Sequence, residues 1–255
     1  MTVIPIASSS KGNAYAVIEA EDIVLIDCGI SLKSLRQKCS EHGIDLNSAK
    51  AVLLTHDHSD HVAGLAALLN RFDLPVYANY LTAGKVSCSC KIDKDSFVCF
   101  ENGQDFEIGT LKITPFSTPH DAADPVGYFI EGNECNYFHA TDIGTPLDSI
   151  GRFLSAADIA TLESNHDPVM LENSDRVLSL KRRISGPRGH LSNDDAAKMI
   201  ALFATPRLKK LFLAHLSNDC NSPLLAERII RQALEKASLD KVELQIIAGG
   251  EMEKR

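Results

Sequence analysis

The sequence predicts an α/β fold in which two sheets are covered on their outer faces by helices. The first half of the chain reads as strands joined by short turns, whereas the second half alternates strands with helices. A sheet or an amphipathic helix is apolar on one side and must bury that side, so this order favours two packed sheets with helices outside. Because no internal repeat, low-complexity stretch or long linker interrupts the chain, we expect a single domain over residues 1–255.

Apolar runs and alternating apolar positions predict the strands of the first half. They are Ala14–Glu19 and Ile23–Asp27, Ala51–Thr55, Val98–Phe100, Gln104–Ile108, Leu111–Ser117, Val126–Glu131 and Asn136–Ala140. The first two are separated by a short polar turn, which indicates a hairpin. Leu32, Leu35 and Cys39 recur at helical spacing, and so do the apolar residues between Val62 and Leu69.

The second half contains longer helical patterns between its strands. Strands are predicted at Asp158–Glu163, Lys210–Ala214 and Val242–Ala248, and helices at Val177–Ile184, Asn193–Phe203 and Leu224–Leu239. Asp194 and Asp195 fall in the first turn of the second helix, where carboxylates interact favourably with the helix dipole.

Composition places few limits on function. The net charge of -8 argues only weakly against a polyanion ligand, because a basic strip or bound metal ions can outweigh the average. Seven cysteines without framework spacing favour reduced thiols and a cytoplasmic location. The chain begins without a signal-peptide pattern, and no apolar run approaches the roughly 20 residues that a membrane helix needs, so we expect no membrane association.

The segment His56-Asp57-His58-Ser59-Asp60-His61 carries the strongest chemical signal. It places three imidazoles and two carboxylates within six residues, directly after the apolar run Ala51–Thr55. Imidazole nitrogen and carboxylate oxygen suit zinc, manganese or iron. Side chains alternate at a strand end, so His56 and His58 can point the same way, while Asp60 and His61 can turn toward a second ion. The alternative, a solvated polar loop, is disfavoured by this density of ligands.

These residues resemble the HxHxDH motif of the metallo-β-lactamase superfamily, and later motifs of that family recur in order. They are His120 in Ser-Thr-Pro-His, Asp142 in Ala-Thr-Asp-Ile-Gly, and His215 in Leu-Ala-His, each after an apolar strand. The resemblance implies the four-layer αββα sandwich of that superfamily, with its ligand-bearing strand ends converging on one side. The other histidines are read differently: His42 as a solvated surface residue and His139 as a buried structural one.

The resemblance implies a site for two divalent metal ions, with zinc first and manganese or iron as alternatives. One ion would be held by His56, His58, His120 and Asp142, and the other by Asp60, His61, Asp142 and His215. Asp27, at the end of an early strand, resembles the buried aspartate of the family that orients the segment His56–His61, which we call the ligand loop. Asp60 and Asp142 would act in catalysis, with a hydroxide that bridges the ions as nucleophile. A di-iron redox role is disfavoured, because that group usually carries Glu in place of His58.

Weaker segments bear on the substrate. Five of them are similar to the bacterial WalJ (YycJ) subfamily: Ser8–Asn13, which is rich in Ser and Gly, Ser117–Tyr128, Glu163–Asp167, Gly186–Asn193 and His215–Asn218. The resemblance implies 5′-to-3′ exonuclease action on nucleic acid, on DNA rather than RNA. We expect His166, His190, Ser192 and Asn193 to contact substrate. Ser192 or Asn193 would cap a helix whose N–H groups face an anion. A nearby basic strip suits a phosphate backbone, although it reads equally as a solvated helix face. Its members are Lys181, Arg182, Arg183 and Arg188.

Two other hypotheses stay open at this point. A small-ester, thioester or lactone hydrolase of the glyoxalase II type would share the same seven ligands. A metal-binding regulatory or scaffold protein that has lost catalysis is disfavoured, because the ligand set is intact. The sequence leaves the oligomeric state open.

Overall fold

The structure, a computed structural model, describes residues 1–248 and 251–252. The chain forms two compact units. Unit 1 comprises Met1–Ser117 and Ala122–Glu134, and unit 2 comprises Thr118–Asp121 and Cys135–Arg255. The single domain over residues 1–255 stays a prediction, and its last residues, 253–255, lie outside the described part of the chain.

Unit 1 contains a six-stranded sheet and a three-stranded antiparallel segment. The sheet has the order β1 (Thr2–Ala7), β2 (Ala14–Glu19), β3 (Asp22–Ile26), β4 (Ala49–Leu53), β5 (Val76–Asn79) and β6 (Phe97–Phe100). The strands β1 to β3 are antiparallel, which confirms the predicted hairpin, and β3 to β6 run parallel. The antiparallel segment is formed by β7 (Phe106–Ile108), β8 (Leu111–Ser117) and β9 (Val126–Glu131).

The helices of unit 1 are α1 (Leu32–Glu41), α2 (Ser59–Val62), α3 (Leu65–Leu69) and α4 (Tyr80–Cys90). Where the sequence suggests one helix through Leu69, the structure has two short helices that are interrupted at Gly64. The Gly64 N–H donates to the carbonyl of Cys28 at 2.8 Å. A Cβ atom at position 64 would lie 1.9 Å from the Ile30 carbonyl, so the interruption permits a close approach that a side chain would block.

Unit 2 contains a parallel sheet with helices between its strands. Its strands are β10 (Asn136–Ala140), β11 (Ile159–Glu163), β12 (Lys210–Ala214) and β13 (Glu243–Ala248), and β14 (Glu251–Met252) pairs antiparallel with β13. Its helices are α5 (Asp148–Ser155), α6 (Pro168–Glu172), α7 (Leu178–Ile184), α8 (Asn193–Phe203) and α9 (Pro223–Lys236). Every strand and helix that the sequence predicts in this half is present within a few residues of its predicted bounds.

Among the labelled elements of the described residues, six were not predicted: β1, β5, β14, α4, α5 and α6. The strand β5 is four residues long, too short for a periodic pattern. The helix α4 buries Thr82, Ala83, Val86 and Ser87 and exposes Tyr80 and Leu81. Its buried side is therefore mostly small or polar, and no apolar stripe marks it in the sequence.

Parallel pairing brings the chemically important residues of each unit to one edge of its sheet, because parallel strands end at the same edge. In unit 1, Asp27 follows β3, the ligand loop follows β4, and Asn79 ends β5. In unit 2, Asp142 comes shortly after β10, Glu163 ends β11, and His215 follows β12. Among the described residues, no helix is long and apolar enough to cross a membrane.

The buried hydroxyl of Tyr128 gives a first test of this fold. It donates to the carbonyl of Leu54, one residue before the loop that begins with Thr55, and both residues are buried. Tyr128→Phe leaves that carbonyl without this donor, so we expect the free energy of unfolding to fall by about 1–2 kcal/mol in urea titrations. Tyr80→Phe, at an exposed tyrosine, should change it by less than about 0.5 kcal/mol. Equal effects of the two substitutions would contradict the assignment.

Candidate metal centre

The ligand loop of unit 1 brings its three histidine rings together. The ring centroids of His56 and His58 are 4.7 Å apart, and those of His56 and His61 are 4.0 Å apart. His56 and His61 are buried, whereas His58 and Asp60 are half-buried. The loop therefore offers imidazole nitrogens and a carboxylate at one place, as the motif predicts.

The fully buried carboxylate of Asp27 holds this loop in place. Its Oδ1 accepts the Thr55 backbone N–H at 2.9 Å, and its Oδ2 accepts the Thr55 hydroxyl at 2.8 Å. The same Oδ2 accepts Nδ1–H of His61 at 2.7 Å. The backbone of Asp27 is in the left-handed region, with φ at 60°, which costs energy for a non-glycine residue and is typical of functional positions. These contacts are those that an orienting residue needs.

The hydrogen bonds also fix the tautomers of two rings. Since the Thr55 hydroxyl donates its hydrogen to Asp27, its oxygen accepts Nδ1–H of His56, 3.0 Å away. The Nδ1–H of His61 likewise donates a hydrogen bond, in this case to the Asp27 carboxylate. Both rings then present Nε2 as the electron-pair donor, and metal-binding histidines commonly have this arrangement, in which the other ring nitrogen donates to a carboxylate or carbonyl.

Asn13 and Gly29 support the loop from the side, and sequence reasoning assigned neither of them a role in the site. The Asn13 amide nitrogen lies 3.0 Å from His61 Nε2 and 3.2 Å from Asp60 Oδ2. The backbone N–H of Asn13 donates to the carbonyl of Asp60 at 2.8 Å. A Cβ atom on Gly29 would lie 1.6 Å from that carbonyl oxygen, so only glycine fits beside the loop.

The second cluster lies within unit 2 and is made of Asp142, Glu163, His190 and His215. One ligand atom of each lies within 4.8 Å of those of the others. Asp142 and His215 both adopt left-handed backbone conformations, each with φ at 58°. Asp142 follows β10 and His215 follows β12, the two strands on either side of β11, and strained backbone at such positions is typical of functional sites. The cluster is thus a second place where a cation can be bound.

Glu163 organises the cluster, and its role was missed from the sequence. Its Oε1 accepts Nδ1–H of His215 at 2.8 Å and of His190 at 2.9 Å. Its Oε2 accepts the backbone N–H of Ile143 at 2.8 Å and of Leu191 at 3.1 Å. Glu163 follows a buried apolar run at a strand end, as Asp142 and His215 do, and this pattern is the signal that could have found it.

Charges within the cluster shift its pKa values. Burial alone would raise the pKa of Glu163, but the adjacent His190 and the hydrogen bonds from both histidines lower it to about 2. Burial opposes protonation of His190, yet Glu163 and Asp142 beside it raise the pKa of that imidazole. In the metal-free protein Glu163 is therefore ionised at neutral pH, and His190 retains a proton more readily than an ordinary histidine.

His120 is held by the segment that precedes His190. Its Nδ1–H donates to the carbonyl of Gly189 at 2.8 Å, which again leaves Nε2 as the ligand atom. The Arg188 guanidinium donates to the His120 carbonyl from Nε at 3.0 Å and from Nη2 at 2.9 Å. Burial lowers the pKa of His120, although Asp142 nearby acts in the opposite direction. A buried neutral imidazole is the form that binds metal.

Two of the three other residues of the predicted basic strip, Lys181 and Arg183, also have partners within the protein. Arg183 pairs with Asp121, and the Lys181 ammonium donates to the carbonyl of Glu172. Arg182 is exposed on α7. The cations therefore stabilise local structure, and any role of the strip in phosphate binding is additional to these contacts.

The predicted substrate contacts lie where the loop after β11 meets the start of α8. His166 and Ser192 form an isolated parallel bridge, and Ser192 caps α8 by accepting the Asp195 N–H at 3.1 Å. The side chain of Asn193 is buried and bonded to Ser164 and Asn221. Within the described part of the chain, the buried Nδ1 of His166 has no hydrogen-bond partner. Substrate contact by these residues stays a prediction.

Comparisons with known proteins identify the class to which this fold and these clusters belong. A family model described as the β-lactamase superfamily domain matches residues 23–215, a range that contains every proposed ligand. The chain belongs to the metallo-β-lactamase superfamily. The metallo-β-lactamase fold protein YhfI from Bacillus subtilis gives a TM-score of 0.72 at 18% identity, and the match covers 96% of this chain and 95% of that one. The predicted α/β sandwich class is thereby confirmed.

Two curated relatives place the chain more closely. Exodeoxyribonuclease YycJ from Bacillus anthracis is 35% identical over 232 residues, which cover 91% of this chain and 88% of the relative. Exodeoxyribonuclease WalJ from Streptococcus pneumoniae is 31% identical over 237 residues, which cover 92% and 88%. The chain is therefore a superfamily member of the WalJ/YycJ type, as its sequence motifs predicted.

The orienting role of Asp27 can be tested by substitution. Asp27→Asn keeps the shape of the side chain but directs an NH₂ group at N–H or O–H donors, so it cannot accept all of its present hydrogen bonds. We expect zinc affinity, measured by competition with a chromogenic chelator, to fall by about 10- to 100-fold.

The matched control is Asp22→Asn. Asp22 accepts the backbone N–H of Thr110 at 2.7 Å and its hydroxyl at 2.9 Å, so it repeats the threonine contacts of Asp27 without a histidine. This variant should bind zinc as wild type does. If both variants bound zinc with unchanged affinity while folded by circular dichroism, Asp27 would have no orienting role.

The ionised state of Glu163 predicts how acid acts on the metal-free protein. A carboxylate whose pKa is lowered from 4.5 to about 2 stabilises the fold above its unfolded-state pKa, and this contribution is lost as the pH falls toward 2. Glu163→Gln lacks the contribution at every pH. The difference in unfolding free energy between wild type and variant should therefore be largest above about pH 5 and shrink toward pH 2.

Urea titrations across this pH range measure the difference in unfolding free energy. The control is Glu107→Gln, at an exposed residue, whose difference from wild type should stay near zero. A pH-independent difference for Glu163→Gln would refute the charge assignment.

Proposed function

We propose that this chain is a metal-dependent DNA exonuclease that hydrolyses phosphodiester bonds from the 5′ end. The observation that carries the proposal is the presence of two clusters of histidine and acidic residues, one in each unit, at the carboxyl ends of parallel strands. In each cluster a buried carboxylate, Asp27 or Glu163, accepts the Nδ1–H of a histidine and so fixes the tautomer of its ring. Relatives named exodeoxyribonucleases, similar over about nine-tenths of this chain, support DNA as the substrate.

The ligand set proposed for two divalent ions follows the superfamily resemblance. One ion is assigned to His56, His58, His120 and Asp142, and the other to Asp60, His61, Asp142 and His215. The donor chemistry fits, because neutral imidazoles and ionised carboxylates bind divalent ions such as zinc, manganese or iron, and zinc is the first choice. When bound, the ions lower the pKa of water to near neutrality and stabilise negative charge on a phosphoryl group.

We assign the other roles in the reaction to four side chains of the protein, two that contact the substrate and two that position reacting groups. We assign to half-buried Asp60 the task of orienting the attacking water through its carboxylate. His190, whose pKa Glu163 raises, is about one-fifth exposed and can donate a proton or hydrogen bond to a phosphate oxygen. Glu163 acts through His190 and His215 as a positioning residue. His166 is proposed as a further contact because its buried Nδ1 remains available to a ligand.

The substrate assignment is tested by one comparative assay. Metal-loaded protein is incubated with 5′-labelled single- and double-stranded DNA, with RNA of the same sequence, and with a thioester. We expect mononucleotides to be released from the 5′ end of DNA, faster than from RNA, with no thioester cleavage.

The control variant is Asp142→Ala, which removes the carboxylate assigned to both ions and should lower the DNA cleavage rate by at least about 1000-fold. Cleavage of the thioester but not of nucleic acid would overturn the proposed substrate and favour an enzyme of the glyoxalase II type. Undiminished DNA cleavage by the variant would overturn the ligand assignment.

A further inference from the structure

The exposed side of α4 has no role in the site described above. Tyr80 is 66% exposed and Leu81 is 60% exposed at the start of this helix. One turn further on, Gly84 and Lys85 are also exposed, and the space around Gly84 is open. Large apolar side chains with this degree of exposure, next to one another and close to a cation, mark a surface that can bind a partner. We call these four residues the α4 platform.

Strand order places the α4 platform at the edge of the sheet that carries the ligand loop. The strand β5 lies beside β4 and runs parallel to it, so both strands end at the same edge. The ligand loop follows β4, and Tyr80 is the first residue after β5.

Hydrogen bonds tie the start of α4 to the ligand loop within unit 1. Asp57, which lies between His56 and His58, accepts the backbone N–H of Ala123 at 2.8 Å. The carbonyl of the next residue, Asp124, accepts the Asn79 side-chain amide at 2.7 Å and the Thr82 hydroxyl at 3.3 Å. Asn79 also caps α4 through the Thr82 N–H. The platform is therefore anchored to the ligand loop through one short segment that contains Ala123 and Asp124.

The charge of α4 favours an anionic partner over a cationic one, and the DNA of the proposed function is such a partner. Its sequence, Tyr80–Cys90, contains one cation, Lys85, and no carboxylate. The whole chain has 34 acidic and 26 basic residues, so α4 lacks the negative charge that most of the chain carries, a property that it shares with α3 and α7. Lys85 is one helical turn from Leu81 and lies on the same exposed side, where it can meet a phosphate while an aromatic ring meets a base.

We propose that the α4 platform binds the single-stranded end of the DNA substrate, with an unpaired base stacked on the ring of Tyr80 and a backbone phosphate near Lys85. The inference rests on the proposed exonuclease function and names a surface that positions its substrate. Stacking on an aromatic ring is sequence-tolerant, because every base has a π-face, and an exonuclease that removes successive nucleotides needs such tolerance. Open space at Gly84 leaves room for the strand to cross the helix.

The absence of tryptophan from the chain permits a direct measurement of stacking. Tyr80→Trp, made together with Asp142→Ala so that DNA is not degraded, carries the only indole in the protein. We expect its fluorescence to be quenched by single-stranded oligothymidylate and much less by a blunt duplex of equal length. A matched reporter, Leu202→Trp, lies at another exposed apolar position, 72% exposed on α8, and should not respond.

Kinetics provide an independent readout. Tyr80→Ala should raise the KM for single-stranded DNA about 10-fold or more while kcat changes little, and Tyr80→Phe should retain wild-type KM because the ring remains. Leu202→Ala controls for the loss of exposed apolar surface and should behave as wild type. Lys85→Ala should reduce the salt dependence of binding.

The outcomes separate this inference from the proposed function. If wild type degrades DNA but Tyr80→Ala has an unchanged KM and the indole at position 80 is not quenched, the platform does not bind the strand, although the exonuclease assignment stands. If wild type degrades no DNA under any metal, the proposed function itself fails. Equal quenching at positions 80 and 202 would also overturn the inference, because it would indicate non-specific association.

Discussion

The buried carboxylate of Asp27 is the interaction on which the ligand loop depends. It accepts hydrogen bonds from three buried donors, which are the Thr55 N–H, the Thr55 hydroxyl and the His61 ring. A buried polar group without partners costs about 1–3 kcal/mol, so the loop has one arrangement that satisfies all of them. Since Thr55 in turn accepts from His56, the orientation of two histidine rings follows from one carboxylate.

In unit 2, the buried carboxylate of Glu163 has the role that Asp27 has in unit 1. Glu163 accepts two ring N–H groups and two backbone N–H groups, so all four of its hydrogen bonds orient the segments that carry Asp142, His190 and His215. An acid buried at the end of a parallel strand is stable there only because these donors surround it, and they lower its pKa rather than raise it. In both units, the fold thus supplies a fixed acceptor for the Nδ1–H of a histidine, so that Nε2 is the nitrogen whose electron pair can bind a cation.

This arrangement explains why net charge gives little information about the substrate. A chain with a net charge of -8 can act on a polyanion, because bound divalent ions and local cations determine the field at the reacting phosphate. The predicted basic strip is largely engaged with carbonyl and carboxylate partners of the protein itself. Helix α4, which has one cation and no acid, exposes Tyr80 and Leu81 in a segment without a recognisable chemical motif.

The sequence by itself determined the local features, which are the alternating strands and the spacing from His56 to His61. Through family resemblance it also pointed to the later candidate ligands and to Asp27. The strands and the His56–His61 spacing can be read because they depend on neighbours a few positions away, whereas the later residues were found only by their match to the motifs of the family. The contacts of Glu163, Asn13 and Gly29 depend on which strands lie side by side. Thr55 meets Asp27 across 28 positions and His215 meets Glu163 across 52, and such pairings are set by sheet order rather than by local pattern. Only the tertiary structure decided them, because parallel strands bring residues distant in the chain to one edge.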